Sequence, residues 1–181
     1  MKAVDVKIQL VDGGIMPKQA TEGSAGLDLF ACISEKEDVY IEGIDQKNYL
    51  FSFKGELDES TFEVTPKEVP FMILPPNVPM IVSAGFKVEL PEGYEMQIRP
   101  RSGVSFKSNL RIANSPGTID SDYRGNVGVI VENTGDTPII IFHGDRIAQA
   151  VIQEVPKVTL AQVDDLSATA RDAGGFGSTG V

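Results

Sequence analysis

The sequence predicts an all-β domain, a sandwich or barrel with at most a short helix, and three observations carry that prediction. Proline and glycine recur at short intervals, 11 and 18 times in 181 residues. The segments between them alternate apolar and polar positions with a period of two, and no window shows the three-to-four-residue spacing of a long amphipathic helix. A chain of this length, 41% hydrophobic, holds one ordinary core and is cramped for two, so a single domain over residues 1–181 is expected.

Along the chain, Cys32 lies between Ala31 and Ile33 and reads as a buried thiol. Residues 34–70 carry ten Asp or Glu against four Lys, which is −6 of the formal −10. Tyr49, Phe51, Phe53, Phe62 and Val64 flank a turn-like stretch at 55–59, so this acidic segment is expected to be an inserted β-hairpin. Phe86, Val88 and Leu90 alternate with Lys87 and Glu89, and Pro91-Glu92-Gly93 then leads to Tyr94, Met96 and Ile98. That pattern predicts a hairpin with one buried face. A short helix fits after Arg101. Val127, Val129 and Val131 form a second buried face before the turn Asn133-Thr134-Gly135-Asp136, and Ile139 to Phe142 reads as a strand buried on both sides. Residues 167–181 are small, polar and glycine-rich, the composition of a flexible tail.

Composition narrows the functional classes. A charge of −10 opposes broad attraction to nucleic acid, and none is expected as a partner, although a single nucleotide needs only a few local cations. No apolar run reaches 18 residues and Met1-Lys2-Ala3-Val4-Asp5 does not resemble a secretory leader, so a cytoplasmic protein without a membrane partner is expected. With Cys32 and His143 the single residues of their types, a disulfide within the chain, a Cys/His zinc site and a Cys–His nucleophilic pair all lack members. A metal would be a hard cation held by oxygens.

Three segments concentrate chemistry. Arg99-Pro100-Arg101-Ser102-Gly103 ends a strand with two cations, a hydroxyl and a glycine, which suits either a phosphate clamp or a charged turn. Residues 117–125 pack Asp120, Asp122, Tyr123 and Arg124 between glycines. Turn chemistry accounts for the glycines; Ile119 and Tyr123 fit a pocket for a flat ligand better than a solvated turn. Gly175-Phe176-Gly177-Ser178-Thr179-Gly180 matches G-x-G-x-x-G formally, but no strand–helix context surrounds it, and no P-loop sequence occurs. What remains is a segment with hydroxyls, N–H groups and one ring, with Arg171 just upstream.

Taken together these segments resemble one family, the trimeric dUTP pyrophosphatases, whose five ordered motifs have counterparts here. They are Ala25-Gly26-Leu27-Asp28-Leu29-Phe30-Ala31, Arg99 to Val104, Gly117 to Gly125 with Asn114 before it, Gly144-Asp145-Arg146-Ile147-Ala148-Gln149, and Arg171 to Gly180. The resemblance implies a distorted jelly roll, a homotrimer with active sites shared between subunits, and Mg2+-dependent hydrolysis of dUTP to dUMP and pyrophosphate. It implies that Asp120 activates the attacking water and that Asp28 steadies a metal-bound water. Arg101, Ser102, Gly103 and Gln149 become phosphate contacts. Asn114, Gly117 and Ile119 select uracil, Tyr123 packs on deoxyribose, Phe176 stacks on the base, and Arg171, Gly177, Ser178 and Thr179 close the tail over the γ-phosphate. Asp145 and Arg146 pair within the assembly.

Two positions depart from the family pattern: Asp172 follows Arg171 where glycine is usual, and Asn126 stands where glutamate is common. The acidic segment 34–70 is a larger departure and a possible docking site for a protein partner. The alternatives to the hydrolase are the related dCTP deaminases, which usually show Arg-Ser-Ser where this chain has Arg101-Ser102-Gly103, and a nucleotide-sensing regulator that signals through the insertion.

Overall fold

The computed structural model describes residues 3–34, 56–57, 64–65 and 69–175. In chain order its elements are β1 (Lys7–Leu10), β2 (Lys18–Gln19), β3 (Leu27–Phe30), β4 (Glu56–Leu57), β5 (Val64–Thr65), β6 (Phe71–Leu74) and β7 (Met80–Glu89). There follow β8 (Tyr94–Arg99), α1 (Ser102–Lys107), β9 (Leu110–Ile112), β10 (Gly117–Ile119), β11 (Asn126–Asn133), β12 (Ile139–Phe142) and β13 (Arg146–Glu154). One antiparallel sheet runs β1-β7-β11-β9 and the other β10-β8-β13-β3-β2, with small pairs β12-β6 and β4-β5. The all-β sandwich expected from the alternation is what forms, and α1 is the one helix among the described residues.

The two large sheets share one apolar cluster. Val82, Ala84, Phe86 and Val88 of β7 and Val127, Val129 and Val131 of β11 meet Leu29 of β3, Met96 and Ile98 of β8, and Ala148 and Ala150 of β13. The valines of β11 are fully buried while the alternating Gly128, Ile130 and Glu132 are not, which is the period of two made visible. Cys32 is buried, as its apolar flanks suggested.

The predicted hairpin of residues 86–98 does not form. β7 pairs with β1 and β11, whereas β8 pairs with β10 and β13, so the chain crosses between sheets at residues 90–93. The turn itself is present: the Tyr94 N–H donates to the Pro91 carbonyl at 3.2 Å, and Gly93 adopts φ 82°, which glycine reaches without a Cβ penalty. The Gly93 carbonyl then accepts from the Val155 N–H at 2.7 Å, just past the end of β13. Both strands bury their apolar face in the same core, from opposite sheets. Alternation reveals which face is buried and not which strand lies alongside.

Two other expectations change. β12 is not buried on both sides: Ile141 is enclosed, while Ile139, Ile140 and Phe142 are half-buried, and among the described residues β12 pairs with β6 in a two-stranded sheet. Within the acidic segment β4 and β5 do pair, Glu56 with Thr65 and Leu57 with Val64, so Glu56 and Leu57 lie in a strand and not in the turn expected at 55–59. The flanking Tyr49, Phe51, Phe53 and Phe62 lie outside the described residues. After β13 the chain from Val155 to Thr169 runs exposed and without regular structure, so the segment lacking a sheet partner starts well before residue 167.

Candidate active site

The described site residues other than Asp120 and Arg171 gather in two groups. The first is centred on Asp28, whose burial on β3 leaves its carboxylate 10% exposed. Arg101 Nε donates to Asp28 Oδ1 at 2.9 Å and Arg146 Nη1 to Asp28 Oδ2 at 3.2 Å, while Arg101 Nη1 also donates to the Arg146 carbonyl at 3.2 Å. Arg146 therefore pairs inside its own chain. Asp145 serves the turn, its carboxylate accepting from the Phe142 N–H at 2.8 Å. Two guanidinium groups on one carboxylate leave a local excess of positive charge in an acidic protein, which favours an anion there.

Gln149 stands on β13 opposite Asp28 of β3 on one side and Arg99 of β8 on the other. Its amide nitrogen donates to the Pro100 carbonyl at 2.8 Å, fixing the strand end from which Arg101, Ser102 and Gly103 lead into α1. A Cβ at Gly26 would lie 3.1 Å from the Gln149 amide carbon and still closer to its oxygen, so glycine at 26 makes room for this amide. Ser102 and Gly103 are exposed, and the space above Gly103 is open.

The second group lines a cavity of about 190 Å³. Asn114, Gly117, Thr118, Ile119 and Tyr123 line it together with Ile81, Ile98, Gly128 and Ile130. The β10 edge pairs Gly117 with Ile98 and Ile119 with Met96, so β8 carries both a cavity wall and, beyond its end, Arg101. The Asn114 side chain lies against Gly117. Asp120 is exposed in the turn after β10, and its carbonyl accepts from the Tyr123 N–H at 3.2 Å.

Arg171 joins neither group among the described residues. It sits in a turn of its own, Nε donating to the Gly174 carbonyl at 2.8 Å and its carbonyl accepting from the Gly174 N–H at 2.9 Å. Asp172 in that turn has φ 43°, the left-handed region that explains why glycine is usual there. Phe176, Gly177, Ser178 and Thr179 lie outside the described residues.

Sequence reasoning passed over Ile81, Thr118, Gly128 and Ile130, and took Ile98 for core alone. Gly128 did carry a signal, since a glycine interrupting Val127 and Val129 in a strand marks a close approach.

Comparison with known proteins places this geometry. The dUTPase family model matches residues 69–180. A deoxyuridine 5'-triphosphate nucleotidohydrolase of Dinoroseobacter shibae is 55% identical over 165 residues, 91% of this chain and 87% of the relative. The enzyme of that name in Rhizobium rhizogenes is 43% identical, over 92% of this chain and 85% of the relative. The chain belongs to the dUTPase family. In fold it is similar to a variant dUTPase of Staphylococcus bacteriophage 80alpha with dUpNHpp, at TM-score 0.73 and 23% identity, over 98% of this chain and 99% of that one.

Proposed function

We propose that this chain hydrolyses dUTP to dUMP and pyrophosphate with Mg2+, as a homotrimer whose sites are shared between subunits. The observation that carries the reading is the cavity: Asn114, Gly117, Ile119 and Tyr123, singled out for base and sugar, line one open pocket beside the strand that leads to Arg101.

Uracil enters between Gly117 and the isoleucines, with the Asn114 amide at its edge. A site built to hydrogen-bond one base rejects another because the mismatch leaves polar groups unpaired. Tyr123 packs on deoxyribose. The triphosphate runs toward the Asp28–Arg101–Arg146 group, where Arg101, the Ser102 hydroxyl, the Gly103 N–H and the Gln149 amide hold it in line. Asp120 takes a proton from water, the water oxygen bonds to the α-phosphorus, and the bond to the bridging oxygen breaks with pyrophosphate leaving.

The residues fit Mg2+ in one particular way. Among the described residues no three His, Cys, Asp or Glu side chains cluster, and each oxygen of Asp28 already accepts from an arginine. That suits a cation bound by phosphates and waters, with Asp28 accepting from one such water through a remaining lone pair. When bound, Mg2+ neutralises phosphate charge and aligns the chain of phosphates.

The trimer accounts for apolar surface that one chain leaves bare. Val155, Val158, Leu160, Val163 and Leu166 follow one another in the exposed C-terminal segment, and Phe106 of α1 is 90% exposed. A mutant dUTPase from phage phi11 of S. aureus, 21% identical with TM-score 0.66 over 91% of this chain and 99% of that one, shows the coordination of a structural Mg(II) ion.

The test is incubation with Mg2+ and dUTP, dCTP, dTTP or UTP, measuring pyrophosphate and monophosphate. Release of dUMP from dUTP, lost in Asp120→Asn by a factor of about 10² or more, is the expected outcome. Turnover of dCTP in its place would overturn the reading.

A further inference from the structure

We propose that Gly125 is a positioning residue for sugar selection, acting through the ring of Tyr123; the inference rests on the reading of Tyr123 as the deoxyribose wall. The phenol of Tyr123 folds back over Gly125. A Cβ built there would lie 2.6 Å from Tyr123 Cζ and 2.9 Å from Cε2, and nearer still to the hydroxyl. Contacts that short do not occur, and two of the three involve the rigid ring, so relief requires the whole phenol to swing.

The ring is held where it lies. Tyr123 Oη donates to the Asn126 carbonyl at 2.9 Å, and the Tyr123 N–H is fixed on the Asp120 carbonyl. Asn126 is itself anchored: it is 6% exposed, and its Nδ2 donates to Ser83 Oγ of β7 at 2.9 Å. Ser83 Oγ also accepts from the Gly85 N–H at 3.0 Å, so the carbonyl that receives Tyr123 is tied to the central strand of the sheet. The register of β11 shifts between Asn126 and Gly128, which turns the strand where it enters the cavity wall. Asparagine at 126, in place of the glutamate common in the family, supplies a neutral amide for this buried contact.

A methyl group at 125 pushes the phenol off its acceptor and loosens the wall that leaves no room for a 2′-hydroxyl. The base contacts of Asn114 and Gly117 stand before Asp120 in the chain and do not depend on that space. Sugar discrimination and base discrimination therefore separate in one variant.

The experiment compares wild type, Gly125→Ala and Tyr123→Phe in kcat/KM for dUTP, UTP and dCTP, together with the affinities of dUMP and UMP by calorimetry. Gly125→Ala should raise UTP relative to dUTP at least tenfold in kcat/KM and UMP relative to dUMP in affinity, with dCTP relative to dUTP unchanged. Tyr123→Phe keeps the ring and the space at 125 but loses the hydroxyl bond, and should shift the sugar ratio the same way by less. An equal fall for all substrates in Gly125→Ala with no change of sugar ratio in Tyr123→Phe would overturn the proposal. Should Gly125→Ala fail to fold, the sugar ratio of Tyr123→Phe decides alone, an unchanged ratio counting against it. A wild-type protein inactive on dUTP would sink the hydrolase reading, and the monophosphate affinities would still measure sugar selection.

Discussion

Asp28 shows most about single residues, because one carboxylate ties two strands and two arginines together. It holds Arg101 and Arg146 at once while 8% exposed as a residue, so neutralising it leaves two cations facing each other in a half-buried site. Removing one member of a buried pair costs about 3–5 kcal/mol, and the half-exposed Arg146 brings that down to about 2 kcal/mol here. Asp28→Asn, which keeps the shape, should therefore lower stability by about that much in a urea melt and reduce dUTP turnover with it. A melt midpoint unchanged from wild type would mean that the ion pairs add nothing and that Arg101 is positioned by Gln149 and Pro100 alone. The sequence marked Asp28, Arg101 and Gln149 by motif, yet no local pattern announced that Arg146 would join them. That partnership depends on β13 lying beside β3, and strand order is not written in alternation. Asp172 was marked as a departure from the family's glycine, and its left-handed backbone at φ 43° emerged with the structure.

Elements were read well where burial is one-sided. β11 is the clearest, its three valines enclosed between β7 and the opposite sheet. Val129→Ala should cost about 2 kcal/mol or somewhat more, from two lost methyl groups and the space they leave, read as a lowered melt midpoint at unchanged denaturant slope. A cost near zero would mean that the sheets collapse to fill the gap. The edge strand β1 offers the contrast. Lys7 Nζ donates to Glu89 Oε1 at 2.6 Å, and this bond holds the Glu89 carboxyl below its ordinary value. A lowered folded value means that the contribution is present above the usual carboxylate range and fades as pH falls through it. Both groups are exposed, so Lys7→Met should leave neutral-pH stability unchanged within error and flatten the acid limb slightly. The crossing between β7 and β8 was misread because Pro91-Glu92-Gly93 serves an arch between sheets as readily as a hairpin within one.

At the level of the whole molecule the chain looks like part of something larger. The arginine cluster around Asp28 and the cavity around Tyr123 are both built within one chain, but Arg171 stands apart from them, bonded within its own turn. Between β13 and that turn the chain carries Leu160 and Leu166, 91% and 90% exposed, on a segment without regular structure among the described residues. A monomer has no use for large aliphatic side chains there, whereas a neighbouring subunit could bury each for about 1.5–3 kcal/mol. The segment would then deliver Arg171 to a site on another chain, joining apolar burial to catalysis. Leu160→Asp combined with Leu166→Asp should turn a trimer into monomers in sedimentation velocity and abolish dUTP hydrolysis, while the far-ultraviolet circular dichroism of the β-sandwich is retained. Monomers that still hydrolyse dUTP would show that each chain closes its own site, and a double variant that stays trimeric would move the subunit contact to Phe106 and α1.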